Sequence, residues 1–153
     1  VANIVKLKTI LGSFLLTIVS VIVVLFWVDS RSGYNQQVVK FGDNRQIIAE
    51  VADTPEQRSL GLSGRRDLGT ERGMWFVFDR QDKHGIWMKD MQFAIDILWI
   101  NEDLEVVHIK ENATPQSYPK TFVSAAPAKY VLEVNAGIIK EDGVSVGDKL
   151  SLE

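Results

Sequence analysis

Lys89, Asp90 and Asp96 break two apolar runs in IWMKDMQFAID, placing charge among the largest side chains of the chain. The following run, AIDILWI, is apolar on both faces apart from Asp96, which predicts a central strand with a carboxylate inside it. A buried carboxylate must be paired or hydrogen-bonded, and Lys89 or Arg65 is a candidate partner. An ion pair fixing the sheet and a carboxylate with a cation at a cleft look alike in sequence. Both readings stand at this point.

The same stretch gathers soft and flat side chains. All three methionines (Met74, Met88, Met91) fall between residues 74 and 99, with Trp75, Trp87, Trp99, Phe76, Phe78 and Phe93. Such side chains line apolar ligand pockets, and they also fill the core of a small β domain. Upstream, LGLSGRRDLGTERGMWF carries Gly61, Gly64, Gly69 and Gly73. Their spacing is not that of a dinucleotide fingerprint, and no Lys-Ser/Thr ending marks a P-loop, so the glycines serve tight turns. Arg65 and Arg66 in this loop suit an anionic group or simple solvation. His84 and His108 have no acidic or histidine partner nearby in sequence, and Ser63, Ser117 and Ser124 lack a nucleophile elbow. No metal set or catalytic constellation is recognisable, and no cofactor is implied.

Short strands must position these residues. Turn formers recur every eight to twelve residues after Val38, and the expected strands are 38–42, 45–52, 73–78, 85–89, 94–101, 104–111, 120–124, 128–135 and 147–152. Turns are expected at Gly42-Asp43-Asn44, Asp79-Arg80-Gln81-Asp82 and Asn101-Glu102-Asp103. In AKYVLEVNA, Tyr130, Leu132 and Val134 alternate with Glu133 and Asn135, which predicts a wet face for the latter two. Thr54-Pro55-Glu56-Gln57 has the form of a capping box with Pro at the first helical position, and Gly61 must end that helix early. A second short helix is expected over 136–141. The fold class is therefore mainly β, a small open barrel or sandwich with one or two short helices over 38–153.

Composition bounds the rest. Residues 9–28 (TILGSFLLTIVSVIVVLFWV) carry no charge, and a helix of that length spans roughly 30 Å, the hydrocarbon thickness of a bilayer. The run exceeds a signal-peptide core and no A-x-A-like site follows, so residues 1–28 read as an uncleaved membrane anchor. Lys6 and Lys8 before it favour an outward-facing domain, in the periplasm or outside the cell, with 29–37 a polar tether. Were the segment cleaved, the domain would be secreted. Beyond the anchor the chain holds 20 acidic and 15 basic residues, which argues against nucleic acid as a partner. The absence of cysteine excludes disulfides, thiolate metal sites and a thiol nucleophile.

The order DTPEQRSLGLSGR, GMWFVF, IWMKDMQFAIDILWIN, YVLEVNAG and a closing VGD resembles the domain of unknown function 192 family across nearly all of 45–152. The resemblance implies a compact, mostly β domain, commonly exported or membrane-tethered in prokaryotes, and it supplies no catalytic residue. Its motif positions here are Gly61, Leu62 and Arg65; Gly73, Met74, Phe76 and Phe78; Trp87, Met88 and Lys89; Asp96; and Glu133, Asn135, Ala136 and Gly137. Ser63 and Gly64 depart from the family's usual Met and non-glycine residue, and Met91 and Ala94 replace a frequent Thr and Pro. The candidate binding residues are thus Arg65, Met74, Trp87, Met88, Lys89, Asp96 and Asn135. The expected role is a membrane-anchored extracytoplasmic domain that binds a small molecule, glycan or protein through a Met/Trp-rich cleft. A cell-envelope hydrolase using Lys89, Asp96 and Arg65, and an assembly factor with an apolar interface, are the alternatives.

Overall fold

The computed structural model describes residues 33–42 and 45–153. The expected anchor at 9–28 and the Asp43-Asn44 part of the first turn lie outside the described residues. Among the described residues no helix is long and apolar enough to cross a membrane. The chain divides at Asn35, and the unit from Gln36 to Glu153 is the one described below.

Among the described residues nine strands form: β1 (Gln36–Phe41), β2 (Arg45–Ala52), β3 (Arg72–Asp82), β4 (Gly85–Trp87), β5 (Ile95–Ile100), β6 (Val106–Ala113), β7 (Thr121–Val123), β8 (Ala128–Asn135) and β9 (Ser151–Leu152). Two short helices, α1 (Pro55–Leu60) and α2 (Ile138–Glu141), and a 3-10 turn at Pro115–Ser117 complete it. Seven strands make one sheet in the order β6-β5-β8-β3-β2-β1-β9, and β4 pairs with β7 in a separate ribbon. The large sheet curls into a half-barrel until its edges meet. Val106 N–H donates to Asp148, Gly147 N–H to Val106 and Leu150 N–H to Leu104, beside a Glu105–Lys149 bridge. The mainly β expectation holds.

The core inside the curl follows the period of two. Ile47 and Ala49 from β2, Trp75 from β3, Leu132 and Val134 from β8, and Leu98 and Ile100 from β5 join Val39, Val106, Ile139 and Leu150. The alternate residues are buried too. Met74, Phe76, Ile95, Ile97, Trp99 and Val131 lie beneath Leu62, Leu68, Ile86 and Met88 from the segments that follow α1 and carry β4. Both faces of the central strands are covered, as the unbroken burial of IDILWI requires.

Local chemistry explains the element ends. Gln57 N–H donates to Thr54 Oγ1 and Gln57 Oε1 accepts from Thr54 N–H, the reciprocal cap expected from the sequence. Helix α1 stops at Gly61, whose φ of 52° and ψ of −132° suit glycine. Most strand ends shift by one or two residues, with β4 ending at Trp87 and β6 running over 106–113, and three departures are larger. The turn expected at 79–82 is strand, because β3 continues through a register shift between Val77 and Asp82. The strand expected over 147–152 shrinks to Ser151–Leu152, since Asp148 Oδ2 accepts from Ser145 N–H and closes a turn there. The helix expected from Ala136 starts at Ile138, after a left-handed Gly137.

Candidate functional site

Asp96 and Arg65 do not meet. Asp96 shares the face of Leu98 and Ile100 and points to the curled core, and it is fully buried. Its Oδ1 accepts from Asn112 N–H at 2.8 Å, and its Oδ2 accepts from Gly137 N–H at 2.8 Å and Ile139 N–H at 3.1 Å. The Asn112 amide is freed by a bulge, where Glu111 and Asn112 stand opposite Asp96 alone. The other two amides open α2, where a negative charge is favoured. The expected Lys89 or Arg65 partner is therefore replaced by three backbone amides, which serve the carboxylate without burying a second charge. Lys89 is exposed and borders an open depression with Pro55, Glu56, Ser59 and Asp90. A hydrolase site built from Lys89, Asp96 and Arg65 has no common cleft.

The Met/Trp cluster also divides. Trp75 faces the curled core and stacks on Tyr130 at 4.9 Å between centroids. Met74, Met88 and Trp99 are buried filling on the opposite face, with Trp99 Nε1 donating to His84 O. Asn135 donates from Nδ2 to Gly69 O at 2.7 Å and fastens the glycine-rich loop to β8. Of the expected binding residues, Trp87 alone lines the cavity described next. His84 stacks on Phe78 and reaches Arg80 O, a packing role.

On the face opposite Asp96, register places Glu50, Met74, Glu133 and Ile97 in one row across β2, β3, β8 and β5. Glu50 and Glu133 thus flank Met74. Arg65 grips Glu50 bidentately, Nη1 to Oε1 and Nη2 to Oε2, both at 2.7 Å. Glu133 is only 4% exposed. Burial pushes its carboxyl up to about 8, and the positive charge of Arg65 offsets part of that rise. No hydrogen bond contributes to holding the charged form of Glu133.

The carboxyl faces a cavity of about 360 Å³. Arg58, Ser59, Leu60, Leu62 and Ser63 wall one side, Phe76 and Met91 another, and Gly85, Ile86, Trp87 and Thr121 of the β4–β7 ribbon a third. The wall is held by two hydrogen bonds: Ser63 Oγ donates to Lys89 O, and Gly64 N–H to Asp90 O. Arg58 is committed as well, with Nη1 donating to Asp53 O and Val77 O and its guanidinium over Phe78 at 5.4 Å. Leu60 and Trp87, about half exposed, form an apolar rim. Glu133 is the residue that residue-pattern reasoning placed in water. Its one signal was the motif YVLEVNAG, which carried it without a role.

The family DUF192, described as Uncharacterized ACR, COG1430, matches residues 37–152. The chain belongs to this family. The UPF0127 protein PF1050 of Pyrococcus furiosus is 37% identical over 114 residues, which is 71% of this chain and 90% of that protein. A crystal structure from Sinorhizobium meliloti 1021, provisionally labelled a transcription regulator, superposes with a TM-score of 0.72 at 36% identity. The match covers 78% of this chain and 95% of that one. A protein of unknown function from Novosphingobium aromaticivorans gives 0.70 at 29% identity, over 77% and 84% of the two chains. The DUF192 sheet and its two faces are therefore shared architecture, and the resemblance read from the motifs is correct.

Proposed function

We propose that this DUF192 chain is a binding domain, held at a membrane by residues 9–28 and facing the periplasm or cell exterior, which takes a small amphiphilic ligand into the Glu133 cavity. The reading rests on one observation: the carboxyl of Glu133, a residue only 4% exposed, ends in an apolar-rimmed cavity and takes no hydrogen bond from the fold. Such a group is costly unless something meets it. Cavities of roughly this size, mostly apolar with few polar groups, are the usual form of small-ligand sites. The exposed Leu60, Trp87 and Val123 also favour a second reading, a protein interface over the same mouth. The acidic balance of the domain offers no support for nucleic acid.

Capture on the full chain in lipid nanodiscs tests the proposal. Small molecules retained from an envelope extract are identified by mass spectrometry, with Ser59→Trp as the comparison because an indole at that wall position fills the cavity. Wild type is expected to retain a compound that Ser59→Trp releases. Identical retention by both proteins overturns the cavity as the site.

A further inference from the structure

The charge arrangement around Glu133 narrows the class of ligand, on the assumption that the cavity is a binding site. Each element packed around the carboxyl contributes an identifiable group. β2 offers Glu50, whose oxygens are taken by Arg65; the loop after α1 offers Arg65, whose terminal nitrogens are taken by Glu50. α1 offers Arg58, already donating to two carbonyls. β3 and β5 place Met74 and Ile97 beside Glu133, and the β4–β7 ribbon adds Gly85, Ile86, Trp87 and Thr121, all uncharged. Two guanidiniums near an apolar cavity oppose a cationic ligand. Both guanidiniums are already committed, so a ligand anion would find no cation to pair with and would leave water against an acid that already resists ionisation.

We propose that the cavity holds the neutral amide end of a small amphiphile. The ligand carbonyl accepts the proton of the Glu133 carboxyl, and its N–H donates to the other Glu133 oxygen. Such a pair matches one donor with one acceptor on each side. The ligand's hydrocarbon part lies against Leu60, Phe76, Trp87 and Met91. The protonated acid is the form that burial favours near neutral pH, so affinity falls as pH rises through about 8.

Isothermal titration of the full chain in nanodiscs with hexanamide and with hexylammonium separates the possibilities. Hexanamide is expected to bind at about pH 6 and to weaken at least about tenfold at about pH 9.5. Glu133→Gln keeps a donor and an acceptor, so it is expected to bind hexanamide within about threefold of the low-pH wild type and without pH dependence. Hexylammonium is expected to bind at least about tenfold more weakly than hexanamide. If hexylammonium binds more tightly and Glu133→Gln abolishes it, the amide assignment is wrong while the cavity reading survives. If neither probe binds but capture yields a ligand that Ser59→Trp releases, the amide class again fails alone. If neither probe binds and capture yields nothing, both readings fall.

Discussion

Two buried carboxylates stand almost side by side and are treated in opposite ways. Asp96 on β5 and Glu133 on β8 are offset by a single register step, yet they face opposite sides of the sheet. The fold turns a bulge amide and the first amides of α2 toward Asp96. It turns a cavity toward Glu133. A carboxylate with three charge-assisted hydrogen bonds holds its surroundings together, whereas one left in an apolar cavity destabilises its own ionised form. The difference separates structure from recognition more sharply than residue type does, because the sequence offered Asp96, and not Glu133, as a candidate binding residue.

Removing the first carboxylate is expected to have the largest effect. Asp96→Ala leaves three amide donors facing a void and unties β6 from α2, a loss of roughly 3–5 kcal/mol. Urea unfolding of the purified variant measures it. A change below about 1 kcal/mol would mean that water or neighbouring carbonyls replace the carboxylate, and the contrast between the two sites would disappear.

Glu133→Gln is expected to act in the opposite direction and only at alkaline pH. The folded-state value of Glu133 lies above that of the unfolded chain, so the native state retains a proton that the unfolded state loses. Wild-type stability should therefore decline as pH climbs from about 4.5 toward 8 and then level off. The amide variant escapes that decline and should be more stable near pH 9 by something on the order of 3 kcal/mol, with no difference near pH 4. Thermal unfolding across pH supplies the comparison. A variant that tracks wild type at every pH would place water and donors around Glu133 that the cavity does not provide.

Arg65→Met probes the link between the row of carboxylates and the loop. It removes a half-buried bidentate pair with Glu50, worth about 1–2 kcal/mol. It also withdraws the positive charge that restrains Glu133, so the alkaline decline should extend to higher pH than in wild type. An unshifted decline would show that Arg65 serves Glu50 alone.

The sequence was informative where one local rule decided the outcome. The Thr54 cap, the Asn101 turn and the wholly buried AIDILWI strand followed from residue types over a few positions. It was uninformative where burial depended on distant cover. Alternation in AKYVLEVNA put Leu132 inside and Glu133 in water, since a period of two separates faces but cannot tell whether both are covered. The loop after α1 and the β4–β7 ribbon supply that second cover from 50 or more residues away in the first case and from elsewhere along the chain in the second. The same blindness made Asp96 look in need of a cation, because a bulge amide and a helix start are backbone features without a side-chain signature.

The smallest stability effect is expected at Trp87, and it tests whether recognition can be separated from packing within one residue type. Trp99 is fully buried with its indole N–H donated to His84 O, so Trp99→Ala should cost about 3–5 kcal/mol. Trp87 sits three residues beyond His84 on the short β4–β7 ribbon and leaves 48% of its surface in solvent. Its truncation removes little buried area, and a loss below about 1 kcal/mol is expected by urea unfolding. Its side chain nevertheless lines the cavity that Glu133 faces, where apolar contact with a ligand adds to affinity. Hexanamide binding should fall several-fold in Trp87→Ala while the pH profile set by Glu133 stays unchanged. A large stability loss with unaltered binding would make Trp87 a packing residue like Trp99 and shift the mouth of the site elsewhere on the sheet.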